Sequence, residues 1–261
     1  MSLLSEIFSD LFAREENVLS RMDPRTKLVV AFSALIAIAF SREPLFPLMT
    51  ALACLAGIAA VGVPLRIALP RLAAPLGIAS VLLAWQALLT GQTPLWSLSA
   101  GGFTLTVTRE GLQHGIPLAC RVVGGVSVLM LLSFTTPMPR VFCAMRSMGV
   151  PQGWVEIALL MYRYIFVLLE LAGDVTAAQK VRLGYAGLRR GLASAGVLGG
   201  TLLLRSVDQA VRTDEAMRVR GYHGEIPLGA LPRLPGRDAW TLAGALAVLA
   251  VAFFASEALH P

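Results

Sequence analysis

The sequence predicts an all-α protein: a polytopic membrane protein with about five transmembrane helices, a sixth left open, and a cytoplasmic region of amphipathic helices. Three observations lead there. Of the 261 residues 56% are hydrophobic and 15% charged, and the mean hydropathy of +0.70 is too apolar for a soluble domain of this length. Apolar runs approaching the ~20 residues that cross a bilayer recur along the chain. Lysine and arginine gather in alternate connections between those runs, as they do on the cytoplasmic side of membrane proteins.

The residues ahead of Asp23 mix acids and bases, Glu6, Asp10, Arg14, Glu15 and Glu16. A signal peptide would instead run from a basic end straight into an apolar core. The first span covers 27–41 and starts at Pro24, which suits a first helical turn because it has no N–H to leave unpaired. The second covers 44–63 and is dense in small residues, Ala53, Ala56, Gly57 and Ala60. Ala53 and Gly57 stand in the small-xxx-small register of closely packed membrane helices, and Gly124-Gly125 extends the pattern. The third span is 72–89, the fourth 111–134 and the last 239–256. The stretch 154–173 is apolar enough to span, but Glu156, Arg163 and Glu170 recur every seven residues on one helical face. Such a stripe is costly against lipid and cheap at an interface, so a long helix at the cytoplasmic boundary is expected there. The chain thus divides into residues 1–135, 136–237 and 238–261.

The basic residues fix the sidedness. Arg14, Arg21, Arg25 and Lys27 precede the first span, and Arg66 and Arg71 lie between the second and third. Of the 22 Lys and Arg, thirteen fall between Arg140 and Arg237. The opposite connections hold only Arg42 and Arg109, and Arg121 lies inside a span. The N-terminus and the 140–237 region are therefore placed inside, in a multi-pass protein of the inner (plasma) membrane. The net charge of +6 reports this topology, and it points to a lipid surface or an acidic partner and not to nucleic acid.

Between 136 and 237 apolar residues recur at helical spacing, with Gly or Pro at the breaks. Pro137 or Pro139 opens a short helix ending near Gly149-Val150-Pro151, with Val141, Phe142, Met145 and Met148 on its apolar side. The next runs from Gln152 or Gly153 to Arg182 and ends at Gly184, a residue suited to a left-handed cap. A third runs from about Leu192 to Arg220 and stops at Gly221. Its later half sets Leu203, Val207, Ala210, Val211 and Met217 against Arg205, Asp208, Arg212, Glu215 and Arg218. Both long helices thus end in a basic segment, Lys180-Val181-Arg182-Leu183-Gly184 and Arg218-Val219-Arg220-Gly221, and each is followed by a tyrosine, Tyr185 and Tyr222. One such end is ordinary helix termination. Two of them on the cytoplasmic side mark handles for a partner.

The pair resembles the twin Ala-Arg-Gly signatures of the transmembrane T component of energy-coupling factor (ECF) transporters, closest to the CbiQ-type subunits associated with cobalt. Further matching stretches are Asp23-Pro24-Arg25-Thr26-Lys27, Arg121 with the apolar run to Thr135-Thr136-Pro137, Ala178-Gln179-Lys180-Val181-Arg182, and Glu215-Ala216-Met217-Arg218-Val219-Arg220-Gly221-Tyr222. Valine replaces alanine in both signatures, at Val181 and Val219, and Leu183 takes the glycine place of the first, with Gly184 one residue on. The resemblance implies that the 136–237 helices are coupling helices. It further implies that Arg182 and Arg220, flanked by Val181, Leu183, Gly184, Val219 and Gly221, dock into two copies of an ABC-type ATPase subunit. A separate S-type membrane subunit would bind the substrate: cobalt by closest resemblance, with nickel or a vitamin open. The exposed methionines expected at Met138, Met145, Met148 and Met161 suit packing against a moving partner.

No Gly-x-x-x-x-Gly-Lys-Ser/Thr run is present, so ATP hydrolysis falls to partners and the chain itself is expected to be non-catalytic. His114, His223 and His260 are dispersed, and Cys54, Cys120 and Cys143 stand singly as small apolar packing residues. No metal site or cofactor is expected. Arg121 is either an interhelical anchor or a gating residue. The alternative from another class is a self-contained secondary transporter whose cytoplasmic helices are regulatory. A lipid-modifying enzyme would need a catalytic set that the sequence does not offer.

Overall fold

The computed structural model describes residues 22–63, 65–89, 94–100, 103–224 and 236–258. Along them run α1 (Pro24–Phe40), α2 (Leu45–Ala60), α3 (Leu65–Leu89), strands β1 (Pro94–Ala100) and β2 (Phe103–Thr108), α4 (Arg109–Thr135), α5 (Met138–Ser147), α6 (Gln152–Val181), α7 (Leu188–Val219) and α8 (Gly236–Ala258). Helix dominates, as expected for an all-α membrane protein. Arg14, Arg21, Arg233, His260 and the N-terminal acids lie outside the described residues. The chain divides into two compact units, Met1–Val141 with Pro232–Pro261, and Phe142–Leu231.

In the first unit each expected span is a helix. Among the described residues three stretches are long and apolar enough to cross a membrane: Pro70–Leu88, Arg109–Thr135 and Asp238–Glu257. α2 is apolar but has 16 residues, and α1 has 17, both short of the ~20 that a full crossing takes. α6 is not among the stretches that meet these criteria of length and composition. Arg66 and Arg71, expected in a loop, instead lie in the opening turns of α3. The helix starts at Leu65, ahead of the apolar stretch, which begins at Pro70.

The Asp23-Pro24-Arg25-Thr26 run is a helix start. The Asp23 carboxylate accepts the Arg25 N–H at 2.9 Å, Pro24 occupies the first turn, and Thr26 Oγ1 donates to the Asp23 carbonyl at 2.7 Å. The carboxylate thus satisfies one donor that a helix start leaves unpaired, and Pro24 has none to leave. Lys27 Nζ then donates to the Thr135 carbonyl at 3.0 Å, a cation on the C-terminal end of α4, where the helix dipole favours it.

α4 is the central helix and packs against α1, α2 and α3, while α8 lies against α1 and α2. One cluster joins Ile58, Val61, Val63, Leu72, Met130 and Phe134; another joins Ala31, Ala34, Ile38, Phe46 and Val128, with Phe253 of α8 against it. Phe46 and Phe253 meet edge to face at 5.5 Å. The small residues let these helices approach. A Cβ on Gly124 would lie 2.8 Å from the Pro47 carbonyl oxygen and 3.2 Å from Pro47 Cβ, and one on Gly57 would lie 3.2 Å from a Leu131 methyl. Gly124→Val is therefore expected to push α2 off α4 and cost about 1–3 kcal/mol, the range for overpacking. Gly125→Val, facing a Leu35 methyl at 3.6 Å, should cost less. Thermal unfolding in detergent would order the two.

The hairpin was not expected. Its strands pair antiparallel with Leu98 opposite Leu105 and Ala100 opposite Phe103. It carries the chain from α3 back onto the same helix, where Thr108 Oγ1 donates to the Ala87 carbonyl at 3.2 Å. A side chain at Gly111 would overlap the Gln86 carbonyl.

Candidate functional site

The second unit holds the two basic helix ends, and their backbones are the same. Arg182 is the C-cap of α6, with φ −86° and ψ 13°. Leu183 then turns left-handed at φ +57°, its N–H bonds the Lys180 carbonyl at 3.0 Å, and the Gly184 N–H bonds the Gln179 carbonyl at 2.8 Å. Arg220 is the C-cap of α7, with φ −84° and ψ 8°. Gly221 turns left-handed at φ +81°, its N–H bonds the Arg218 carbonyl at 3.0 Å, and the Tyr222 N–H bonds the Met217 carbonyl at 3.0 Å. Each is a Schellman motif with arginine at the cap position.

The first end corrects the sequence expectation. The left-handed residue is Leu183 and not Gly184, so the substituted signature keeps the turn. It does so at a cost, since a left-handed conformation disfavours a residue bearing a Cβ by roughly 1–2 kcal/mol. Gly184 is required for a different reason. A Cβ there would lie 2.6 Å from Ser194 Oγ and 2.9 Å from the Gln179 carbonyl oxygen. Ser194 Oγ donates to the Gly184 carbonyl at 2.9 Å, and Gln179 Nε2 donates to the Ser194 carbonyl at 2.9 Å. Tyr185 closes the elbow by donating its hydroxyl to Gln179 Oε1 at 2.8 Å.

Tyr222 plays the matching part at the second end, donating to Glu156 Oε2 at 3.4 Å. Glu156 is only 4% exposed. Its other oxygen accepts from Gln152 Nε2 at 2.7 Å, and Gln152 Oε1 in turn accepts from Arg146 at 2.7 Å. Glu156 is thus a buried anchor, whereas Arg163 and Glu170, one and two heptads on, are exposed. Of the charged stripe read from the sequence, only the later part is exposed. Sequence reasoning missed Gln179, Ser194 and Glu156 as supports; the tyrosine after each signature was the available signal.

Hydrogen bonds between Gln179 and Ser194, Tyr164 and Thr213, and Glu156 and Tyr222 make α6 and α7 antiparallel. The Thr213 hydroxyl, 2.5 Å away, holds the Tyr164 phenol below its ordinary pKa. α6 has 30 residues and so runs about 45 Å. The Arg182 and Arg220 caps therefore stand at opposite ends of the pair, roughly 40 Å apart at 1.5 Å per residue. Both guanidinium groups are exposed and make no hydrogen bond or ion pair among the described residues. Arg218, by contrast, is tied to Asp214 at 2.9 Å.

Apolar surface surrounds these cations. Val181 is 85% exposed, Leu183 66%, Leu188 87% and Val219 89%. α7 has no buried residue, so the apolar side expected at Leu203, Val207 and Val211 lies open, as do Met138, Met145, Met148 and Met161. An amphipathic helix gains most of its stability by covering such a face.

Elsewhere the chemistry is sparse. Among the described residues no three His, Cys, Asp or Glu are grouped as metal ligands; His114 and His223 are exposed, and the three cysteines are free thiols. A 420 Å³ cavity in the first unit is walled by residues such as Val30, Ala53, Cys54, Leu131 and Val248, with Lys27 the one charged side chain on it among the described residues.

Comparison with known proteins bears on this arrangement. The family described as CbiQ, cobalt transport protein, matches residues 15–228. An uncharacterised protein of Methanocaldococcus jannaschii is 32% identical over 213 residues, 81% of this chain and 80% of that protein. The cobalt transport protein CbiQ of Rhodobacter capsulatus is 35% identical over 117 residues, 45% of this chain and 48% of that protein. The CbiQ of Salmonella typhimurium is 26% identical over 137 residues, 52% of this chain and 61% of that protein. The chain thus spans about half the length of these two named relatives.

Proposed function

Because the chain belongs to the CbiQ cobalt transport protein family and is a multi-pass membrane component of that class, we propose that it is the T subunit of an ATP-driven ECF-type importer. It would couple two ABC-type ATPase subunits to a separate substrate-binding membrane subunit, with its N-terminus and the α5–α7 region in the cytoplasm of an inner-membrane system. It would be non-catalytic, leaving ATP hydrolysis to its partners.

One observation carries this proposal: two C-caps of the same backbone form present exposed arginines, without a hydrogen bond or ion pair among the described residues, at opposite ends of one antiparallel helix pair. A guanidinium at a C-cap is always charged and offers several donors in a fixed fork, so it can grip carboxylates or carbonyls at the bottom of a groove. Two handles roughly 40 Å apart suit two ATPases that approach on binding ATP, because motion at either end becomes rotation or bending of the helix between them. The exposed apolar sides of α6 and α7 would bear on the substrate subunit. Cobalt is the substrate proposed by family membership, with nickel or a vitamin decided by that other subunit.

The test is reconstitution in liposomes. ATP-dependent accumulation of radioactive cobalt is expected only when this chain, both ATPases and the substrate subunit are all present. Accumulation by this chain alone, driven by an ion gradient and indifferent to ATP, would establish the secondary transporter instead.

A further inference from the structure

Leu183 is the one non-glycine residue with a positive φ among the described residues, at +57°. The same position at the other end is Gly221, the residue that adopts this conformation without steric conflict. The fold therefore shows what the unstrained solution looks like and departs from it in one place. A bulky residue held left-handed persists where its side chain has a use. Within this chain Leu183 has little: it is 66% exposed, and the hydrogen bonds of its turn are made by backbone groups that glycine would supply equally.

The surroundings indicate the use. Val181, Leu183 and Leu188 present apolar surface around the Arg182 cap, whereas the Arg220 cap carries Val219 and a glycine. The two ends match in backbone and charge but differ in apolar surface. We infer that Leu183 is a specificity-determining contact, an apolar knob that enters a groove on one ATPase subunit beside the site gripping Arg182. This rests on the docking role proposed above. The partner surface it requires is an apolar slot next to acceptors for a guanidinium. The membrane surface is the competing occupant, and the charge of Arg182 beside Leu183, unpaired among the described residues, favours a protein groove that supplies acceptors to the cation as well as apolar walls.

The experiment sets stability against assembly. Leu183→Gly removes the side chain and the conformational penalty together; Leu183→Ala removes the side chain and keeps the penalty. Each variant is assayed for thermal unfolding in detergent, for affinity toward the purified ATPase pair that assembles with the wild-type chain, and for binding to anionic liposomes. Leu183→Gly is expected to unfold at the wild-type temperature or above it, yet to bind the ATPases at least about tenfold more weakly, the scale of one apolar side chain leaving a groove. Leu183→Ala should lose as much affinity, and Leu183→Met should recover most of it.

Wild-type affinity in Leu183→Gly, alongside lost assembly in Arg220→Glu, would overturn the knob while sparing the docking role. Wild-type assembly in both would remove the docking role itself. Loss in Leu183→Gly but not Leu183→Ala would attribute the effect to backbone freedom and reject the contact. A loss confined to liposome binding would assign the leucine to the membrane surface and overturn the proposal.

Discussion

Replacing Arg220 with glutamate is expected to abolish ATP-driven uptake and assembly with the ATPases, while membrane insertion and helix content stay at wild-type levels. The backbone at this position is set by the Gly221 turn and its two hydrogen bonds, and the exposed Arg220 side chain makes no hydrogen bond or ion pair among the described residues. Inside a partner's groove the balance is different. Leaving the acceptors of a desolvated charge pair unfilled costs about 2–5 kcal/mol, and placing a like charge against them costs more. That is at least about thirtyfold in affinity. Arg182→Glu should act in the same direction but less strongly, because the apolar surface around the first end remains, and the double variant should be inert. Arg218→Ala is the internal control. It breaks only the exposed pair with Asp214, a class of interaction worth about 0.3–0.5 kcal/mol, so it should assemble and transport normally. Co-purification with the ATPases, and uptake per inserted molecule, would read all four. Full assembly and uptake by the double variant would reject docking through these arginines.

The contrast between Arg218 and Arg220 also shows what the sequence could and could not convey. Helix ends were legible because arginine, glycine and proline punctuate them, and α6 and α7 end at Val181 and Val219, each one residue before the expected Arg182 and Arg220. Which residue carries the left-handed turn was not legible at the first end. Glycine marks both a left-handed turn and a close approach, and Gly184 serves the second purpose against Ser194. The hairpin was legible but unread: Phe103-Thr104-Leu105-Thr106-Val107-Thr108 alternates with period two behind Gly101-Gly102, a pattern for strands. Counting spans and charges treats any weakly charged stretch between helices as a connection. Glu156 could not be resolved at all. Seven-residue spacing puts it on a face with Arg163 and Glu170, but in the fold it is buried and accepts from Tyr222, a residue 66 positions away in the chain. Likewise the apolar side of α7 was visible as periodicity, whereas its lack of cover is a property of the folded chain.

Arg121→Met is expected to destabilise the membrane-embedded unit by about 3 kcal/mol, the worth of charge-assisted hydrogen bonds lost together with an acceptor left bare. Arg121 reaches from α4 to the C-cap of α1, where its Nε and Nη2 donate to the Ser41 carbonyl at 2.9 and 2.5 Å. Ser41 is fully buried, and its carbonyl is one of the acceptors that a helix end cannot satisfy internally. In a bilayer no water replaces the missing donors, so an unfilled acceptor is costlier than in a soluble protein. The next residue is tied as well, its N–H donating to Glu257 of α8 at 3.1 Å, so the α1–α2 corner is held from two helices by polar groups. Methionine keeps the apolar stem of arginine and discards both donors, which isolates the hydrogen bonds from the packing. Lysine keeps the charge but not the fork and should fall between the two. Thermal unfolding in detergent would rank wild type above Arg121→Lys above Arg121→Met if Arg121 is an anchor. Should Arg121→Met unfold at the wild-type temperature yet transport poorly per inserted molecule, the residue would instead act in gating, and the anchor would be refuted.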